Sequence, residues 1–126
     1  MVLRDGRPLL AFGTPGGDQQ DQWSLQFFLS HVHGGLEPQA AIDAPTFHSI
    51  HFAESFWPRS SHPGGVVVES RLPATVLAEL ERRGHRLTRS GDFSLGRVVM
   101  VGRDPGTGFL QAAADPRGGQ AYAAGR

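Results

Sequence analysis

Pro8-Leu9-Leu10-Ala11-Phe12-Gly13-Thr14-Pro15-Gly16-Gly17-Asp18-Gln19-Gln20 reads as three pieces of structure in succession. Leu9 to Phe12 is a short apolar run of the kind that fills a buried strand, and Gly13 to Gly17 stops it with turn formers. A helix should follow, with Asp18 suited to its N-cap and the dense apolar segment Trp23 to Val32 behind it. A strand, a glycine turn and a helix in that order aim unpaired backbone N–H groups at one point, with the positive end of the helix dipole behind them. Such a point attracts a phosphate, a carboxylate or the oxyanion of acyl transfer, and adjacent glycines let a substrate approach the backbone without meeting a Cβ. On spacing alone an ordinary tight turn is the simpler reading, because short glycine motifs recur widely.

Working outward, Asp5-Gly6 marks a tight turn, so Val2-Leu3 and Leu9 to Phe12 are expected to form a hairpin leading into the glycine loop. In the first helix Leu25, Phe28, Leu29 and Val32 follow the i, i+3, i+4, i+7 pattern, Trp23 and Phe27 add a neighbouring apolar face, and Gly34-Gly35 ends it. Glu37 to Ala44 predicts a short helix with proline at its first position, stopped before Pro45. Ser49 to Phe52 alternates like a half-buried strand, Ser55 to Gly65 reads as a loop carrying Phe56 and Trp57, and Gly65 to Ser70 reads as a strand.

Pro73 to Arg83 predicts an amphipathic helix with Val76, Leu77 and Leu80 facing inward, a Glu79–Arg83 pair and Gly84 as its stop. Leu87-Thr88, Arg97 to Val101 and Phe109 to Ala114 predict strands, the last two joined by a turn at Asp104-Pro105-Gly106. The tail, Asp115 to Ala123, is expected to supply a final edge strand. These elements define an α+β class, an antiparallel or mixed sheet covered by helices. Continuous apolar strands imply sheets covered on both faces, more than the helices at hand would cover. An uncovered face of that kind predicts self-association or marginal stability.

The 126 residues make one domain or part of one. Twelve Lys and Arg balance twelve Asp and Glu, so the net charge of zero argues against nucleic acid or an anionic membrane as a partner. Absence of cysteine excludes disulfides, thiolate metal ligands and a cysteine nucleophile. Met1 to Pro8 lacks the long apolar core of a signal peptide and no later run reaches the length of a membrane span, so the expectation is a soluble protein whose compartment stays open, the cytoplasm being favoured over secretion.

Six histidines invite a metal site, but His31 and His33 at i, i+2 on a helix point to different sides and His48 and His51 fall on opposite faces of a strand. No metal or cofactor is expected. Asp43, Glu54, Glu69 and the Glu79/Glu81 pair lie in separate elements with nothing to bring two together, and Gly-x-Ser-x-Gly is absent. The glycine loop lacks the Lys-Ser/Thr ending of a P-loop and the Gly-x-Gly-x-x-Gly of a dinucleotide fold. Arg59, Arg71 and Arg117 are each able to grip a carboxylate or phosphate, although ion pairing or simple exposure is the commoner fate of a lone arginine.

Gly13 to Gly17, Ala40-Ala41-Ile42-Asp43-Ala44-Pro45-Thr46-Phe47-His48, Leu80 to His85 and Ala113-Ala114-Asp115-Pro116-Arg117 stand in one order over nearly the whole chain. Together they resemble the γ-glutamyltransferase (γ-glutamyltranspeptidase) family, and specifically the C-terminal portion of its small catalytic subunit. Gly17 to Gln20, Ser55 to Arg59 and Arg103 to Gly108 look more like the bacterial acyltransferases and amidohydrolases of that family than like the classical transpeptidases. The resemblance implies part of an N-terminal-nucleophile hydrolase αββα sandwich, with residues 1–126 a single partial domain. It further implies an N-terminal threonine whose hydroxyl attacks a γ-glutamyl or related amide while its own α-amine acts as base.

By the same resemblance the two adjacent glycines that bind the oxyanion fall on Gly16 and Gly17. The family's nucleophile, and the serines that hold the substrate carboxylate, lie upstream of that loop. Residues 1–126 are therefore expected to be inactive alone and to need the upstream portion of the same enzyme, the large subunit and the start of the small subunit, as partner. The alternative is a non-catalytic module that binds a small carboxylate or phosphate at the glycine loop.

Overall fold

The computed structural model describes residues 1–117, 119 and 121–124. Strand β1 (Val2–Arg4) turns at Asp5-Gly6, both with positive φ, into β2 (Arg7–Gly13), so the Asp-Gly pair makes the expected hairpin. A 3-10 turn (Gly17–Gln19) leads into α1 (Gln20–Phe28), whose last turn widens to a π-turn (Leu29–His33). Then come α2 (Pro38–Asp43), β3 (Phe47–Ser49), β4 (Gly65–Glu69), α3 (Ala74–Arg82), β5 (Arg86–Ser90), β6 (Val99–Arg103) and β7 (Leu110–Ala114).

Two sheets form where the order of elements alone suggested one, in keeping with the αββα sandwich that the resemblance implied. The first has the order β1-β2-β6-β7 and is antiparallel throughout; the second has the order β3-β4-β5, with β4 and β5 parallel across the α3 crossover. Each sheet has its own helical cover. Leu10, Val98, Met100 and Ala113 pack with Phe27 of α1 and Ala41 and Ile42 of α2, whereas Val66 and Val68 pack with Leu77 of α3. Leu77 is 1% exposed. Its replacement by alanine is therefore expected to cost about 2–5 kcal/mol, to be read as a fall in the urea midpoint at unchanged slope.

Several local expectations give way to packing. Leu25 and Leu29 are exposed, and the buried face of α1 is centred on Phe27, whose ring lies 5.1 Å from that of Phe12. The π-turn spaces its bonds by five residues, so a 3.6-residue pattern drawn through Leu29 and Val32 does not continue the stripe above it. Val76 is exposed while Leu77 alone of the three expected residues is fully buried. The tail residues 115–117, 119 and 121–124 contain no strand; Gly118 and Gln120, which the expected edge strand included, lie outside the described residues.

The strand expected at Ser49 to Phe52 instead runs Phe47–Ser49, and the cause is a pair of glutamines on α1. Gln22 donates to the Ser49 carbonyl (3.0 Å) and accepts from its N–H (2.7 Å), and Gln26 treats Phe47 in the same way (2.7 and 3.3 Å). Two side-chain amides four residues apart on the helix thus stand in for the missing neighbour of an edge strand. Gln39 of α2 does the same for Ala114 on β7. Both devices satisfy backbone groups that an open sheet edge leaves unpaired.

Candidate active site

The glycine turn is set by three contacts. The Gln20 side chain donates to the Thr14 carbonyl (2.7 Å), the Thr14 hydroxyl donates to the Pro15 carbonyl (2.8 Å), and the Arg97 N–H donates to the Thr14 hydroxyl (3.2 Å). With Thr14 held, the chain passes through Gly16 at φ 135° and Gly17 at φ 70°, conformations that only glycine adopts without strain. Behind the turn stands the Trp23 indole. A Cβ on Gly16 would lie 2.6 Å from Trp23 Cζ3, and one on Gly96 3.4 Å from Trp23 Cγ, so the ring is packed between two bare stretches of backbone.

Among the described residues neither the Gly16 nor the Gly17 N–H has a hydrogen-bond acceptor. A cavity of about 400 Å³ opens beside Gly17, lined by Asp18, Gln22, Glu54, Ser55 and His62 among others. Asp18 is not the helix cap it was expected to be: it lies inside the 3-10 turn, and its carboxylate accepts the Ser55 N–H at 2.7 Å. The Ser55 hydroxyl and amide hold the Asp18 carboxyl below its ordinary value. That contact was invisible in the sequence, since nothing in the spacing of positions 18 and 55 pairs them.

The histidines go separate ways. His48 is buried edge-on against Trp23, with ring centroids 5.4 Å apart, and burial pushes its imidazole pKa down. His31 bonds the Leu36 carbonyl, and His51 accepts the Gly64 N–H through Nδ1. Among the described residues no three His, Asp or Glu side chains stand together as metal ligands would. Arg59 is exposed on the 50–64 loop.

Arg71 and Arg117 both turn inward to Glu69, which is fully buried. Arg117 also meets Asp115, at 3.2 Å, so one arginine joins two carboxylates. The carboxylates weighed from the sequence are not brought together; Glu69 shares Arg117 with Asp115 instead, a residue outside that set. The cue lay in Glu69 closing an otherwise apolar strand and in the Asp115-Pro116-Arg117 motif.

Two helix-covered sheets, with a glycine turn at the end of β2, are part of the αββα sandwich of N-terminal-nucleophile hydrolases. Within that class the chain belongs to the gamma-glutamyltranspeptidase family, whose model matches residues 1–125. The glutathione hydrolase-like YwrD proenzyme of Bacillus subtilis is 31% identical over 122 residues, covering 94% of this chain and 22% of that protein. Among solved structures, LmbA2991HD superposes with a TM-score of 0.92 at 56% identity, covering 98% of this chain and 22% of that one. The cephalosporin acylase of Bacillus halodurans superposes with a TM-score of 0.75 at 32% identity over 90% of this chain and 19% of that one. The chain thus spans about a fifth of the length of each of these three relatives.

Proposed function

We propose that residues 1–126 form the oxyanion-binding part of a γ-glutamyltransferase-like amide hydrolase or acyltransferase, with the Gly16 and Gly17 N–H groups as donors. The observation that carries this reading is the pair of amides without acceptors, on a positive-φ turn beside an open cavity. Such donors stabilise the charge that builds on a carbonyl oxygen as the tetrahedral intermediate forms, and being fixed beforehand they cost no reorganisation at that moment.

The attacking group in this reading is the threonine hydroxyl of a preceding segment. Thr14 does not suit the role: as an internal residue it carries no free α-amine, and its hydroxyl is engaged with the Pro15 carbonyl and the Arg97 N–H. Attack on a γ-glutamyl or related amide expels the amine, and the acyl group then passes from the threonine oxygen to water or to an amine acceptor. Combining residues 1–126 with the upstream portion and following release from a γ-glutamyl anilide tests the assignment. Activity is expected only from the combination; turnover by residues 1–126 alone, or none from the combination, would overturn it.

A further inference from the structure

The 50–64 loop leaves β3 and returns to β4 as a ladder of its own. The His62 N–H donates to the Ile50 carbonyl and the Glu54 N–H to the Ser60 carbonyl, each at 3.0 Å, and the Arg59 N–H closes the tip on the Phe56 carbonyl at 2.7 Å. The tip presents Phe56 and Trp57, 69% and 90% exposed. Large apolar side chains displayed together on an ordered tip mark a contact surface more often than idle decoration.

The loop is fastened to the glycine turn at two adjoining points. The carboxylate of Asp18, the residue after Gly17, accepts the N–H of Ser55, the residue before Phe56. Phe56 Cε2 lies 3.5 Å from where a Cβ on Gly17 would stand, an ordinary van der Waals contact. A group held by the Gly17 amide therefore lies within reach of the Phe56 ring.

We propose that the 50–64 loop is the specificity element of this site, its Phe56 and Trp57 rings forming a wall for a flat apolar group next to the scissile amide. The inference rests on the reading of the glycine turn given above and adds the class of substrate: amides that carry an aromatic or similarly bulky apolar substituent, in preference to those that are polar on both sides. Aromatic pairs of this kind contribute beyond their buried area, and one hydrophobic subsite discriminates about ten-fold or more in kcat/KM.

The test uses the full-length protein and two substrate pairs. Glutamine against 4-phenylbutanamide varies the acyl side with ammonia as common leaving group; γ-glutamyl methylamide against γ-glutamyl anilide varies the leaving side. Phe56→Ala is expected to cut the aromatic-to-plain ratio of kcat/KM about ten-fold in at least one pair, mainly through KM. Asp18→Ala, which keeps both rings in the sequence but unfastens the loop that positions them, is expected to lower the same ratio. Ratios unmoved by both variants in both pairs would overturn the specificity role while amide hydrolysis itself still stands. Failure of the wild-type protein to hydrolyse any of the four amides would instead overturn the proposed function, and this inference with it.

Discussion

Replacing Gly17 by alanine is expected, from the oxyanion role proposed above, to lower kcat/KM for amide hydrolysis by residues 1–126 combined with the upstream portion by ~10²-fold while leaving the chain folded. The methyl group keeps the N–H but stands where the substrate must come close, and displacements of about 1 Å at such a point are enough to cost that factor. The folding cost is modest, about 1–2 kcal/mol for a left-handed φ at a residue with a Cβ, because the nearest neighbour is Phe56 at an unstrained 3.5 Å.

Gly16→Ala should behave differently. Its Cβ would meet the rigid Trp23 ring at 2.6 Å, so the turn itself has to move and the melting temperature falls together with activity. Thermal melts and initial rates on both variants separate the two roles. A Gly17→Ala protein with wild-type turnover would remove the substrate from the neighbourhood of that amide, and with it the oxyanion assignment.

How much of this was legible in the sequence divides along a physical line. Features set by a few neighbouring residues could be read: the Asp5-Gly6 hairpin, the proline start and stop of α2, the α3 helix and its Glu79–Arg83 pair, observed at 2.7 Å. The strand-turn-helix order around Gly16-Gly17 was legible for the same reason. Features made by residues distant in the chain were not. Gln22 and Gln26 look like ordinary solvated helix positions until β3 lies beside them, and Asp18 looks like a cap until the 50–64 loop folds back onto it. The π-turn after Phe28 is a further case, since it changes the helical period without any glycine or proline to announce it.

Glu69→Ala is expected to destabilise the protein by about 3–5 kcal/mol, a large share of the ~5–15 kcal/mol that separates folded from unfolded chains. The Glu69 carboxylate accepts six bonds: from the backbone N–H groups of Thr46, Ser94 and Leu95, from Arg71, and from two nitrogens of Arg117. Arg117 goes on to the carbonyls of Ile42 and Ala44 and to both carboxylate oxygens of Asp115, one of which also takes the Val98 N–H. Removing the carboxylate strands a buried guanidinium and three buried or part-buried amides, whereas Glu69→Gln keeps an acceptor and should cost less.

Burial pushes the Glu69 carboxyl up, but the Arg117 guanidinium and the three backbone N–H groups outweigh it and bring the pKa from 4.5 down to about 2. A pKa lowered on folding gives stability that is complete above the unfolded value and is lost as pH falls through the folded one. Roughly 3 kcal/mol should therefore disappear between about pH 4.5 and pH 2. Asp115 works against this on the acid side, because burial, only partly offset by Arg117, raises its carboxyl. Urea midpoints measured down the acid limb should show the Glu69 loss in the wild type and its absence in Glu69→Gln; equal midpoints for the two proteins at pH 7 would sink the assignment. The effect reaches the glycine turn as well. Glu69 holds Leu95, Leu95 precedes Gly96, Gly96 packs on Trp23, and Trp23 backs Gly16, so a chain of contacts runs from the buried ion cluster to the amides beside the cavity.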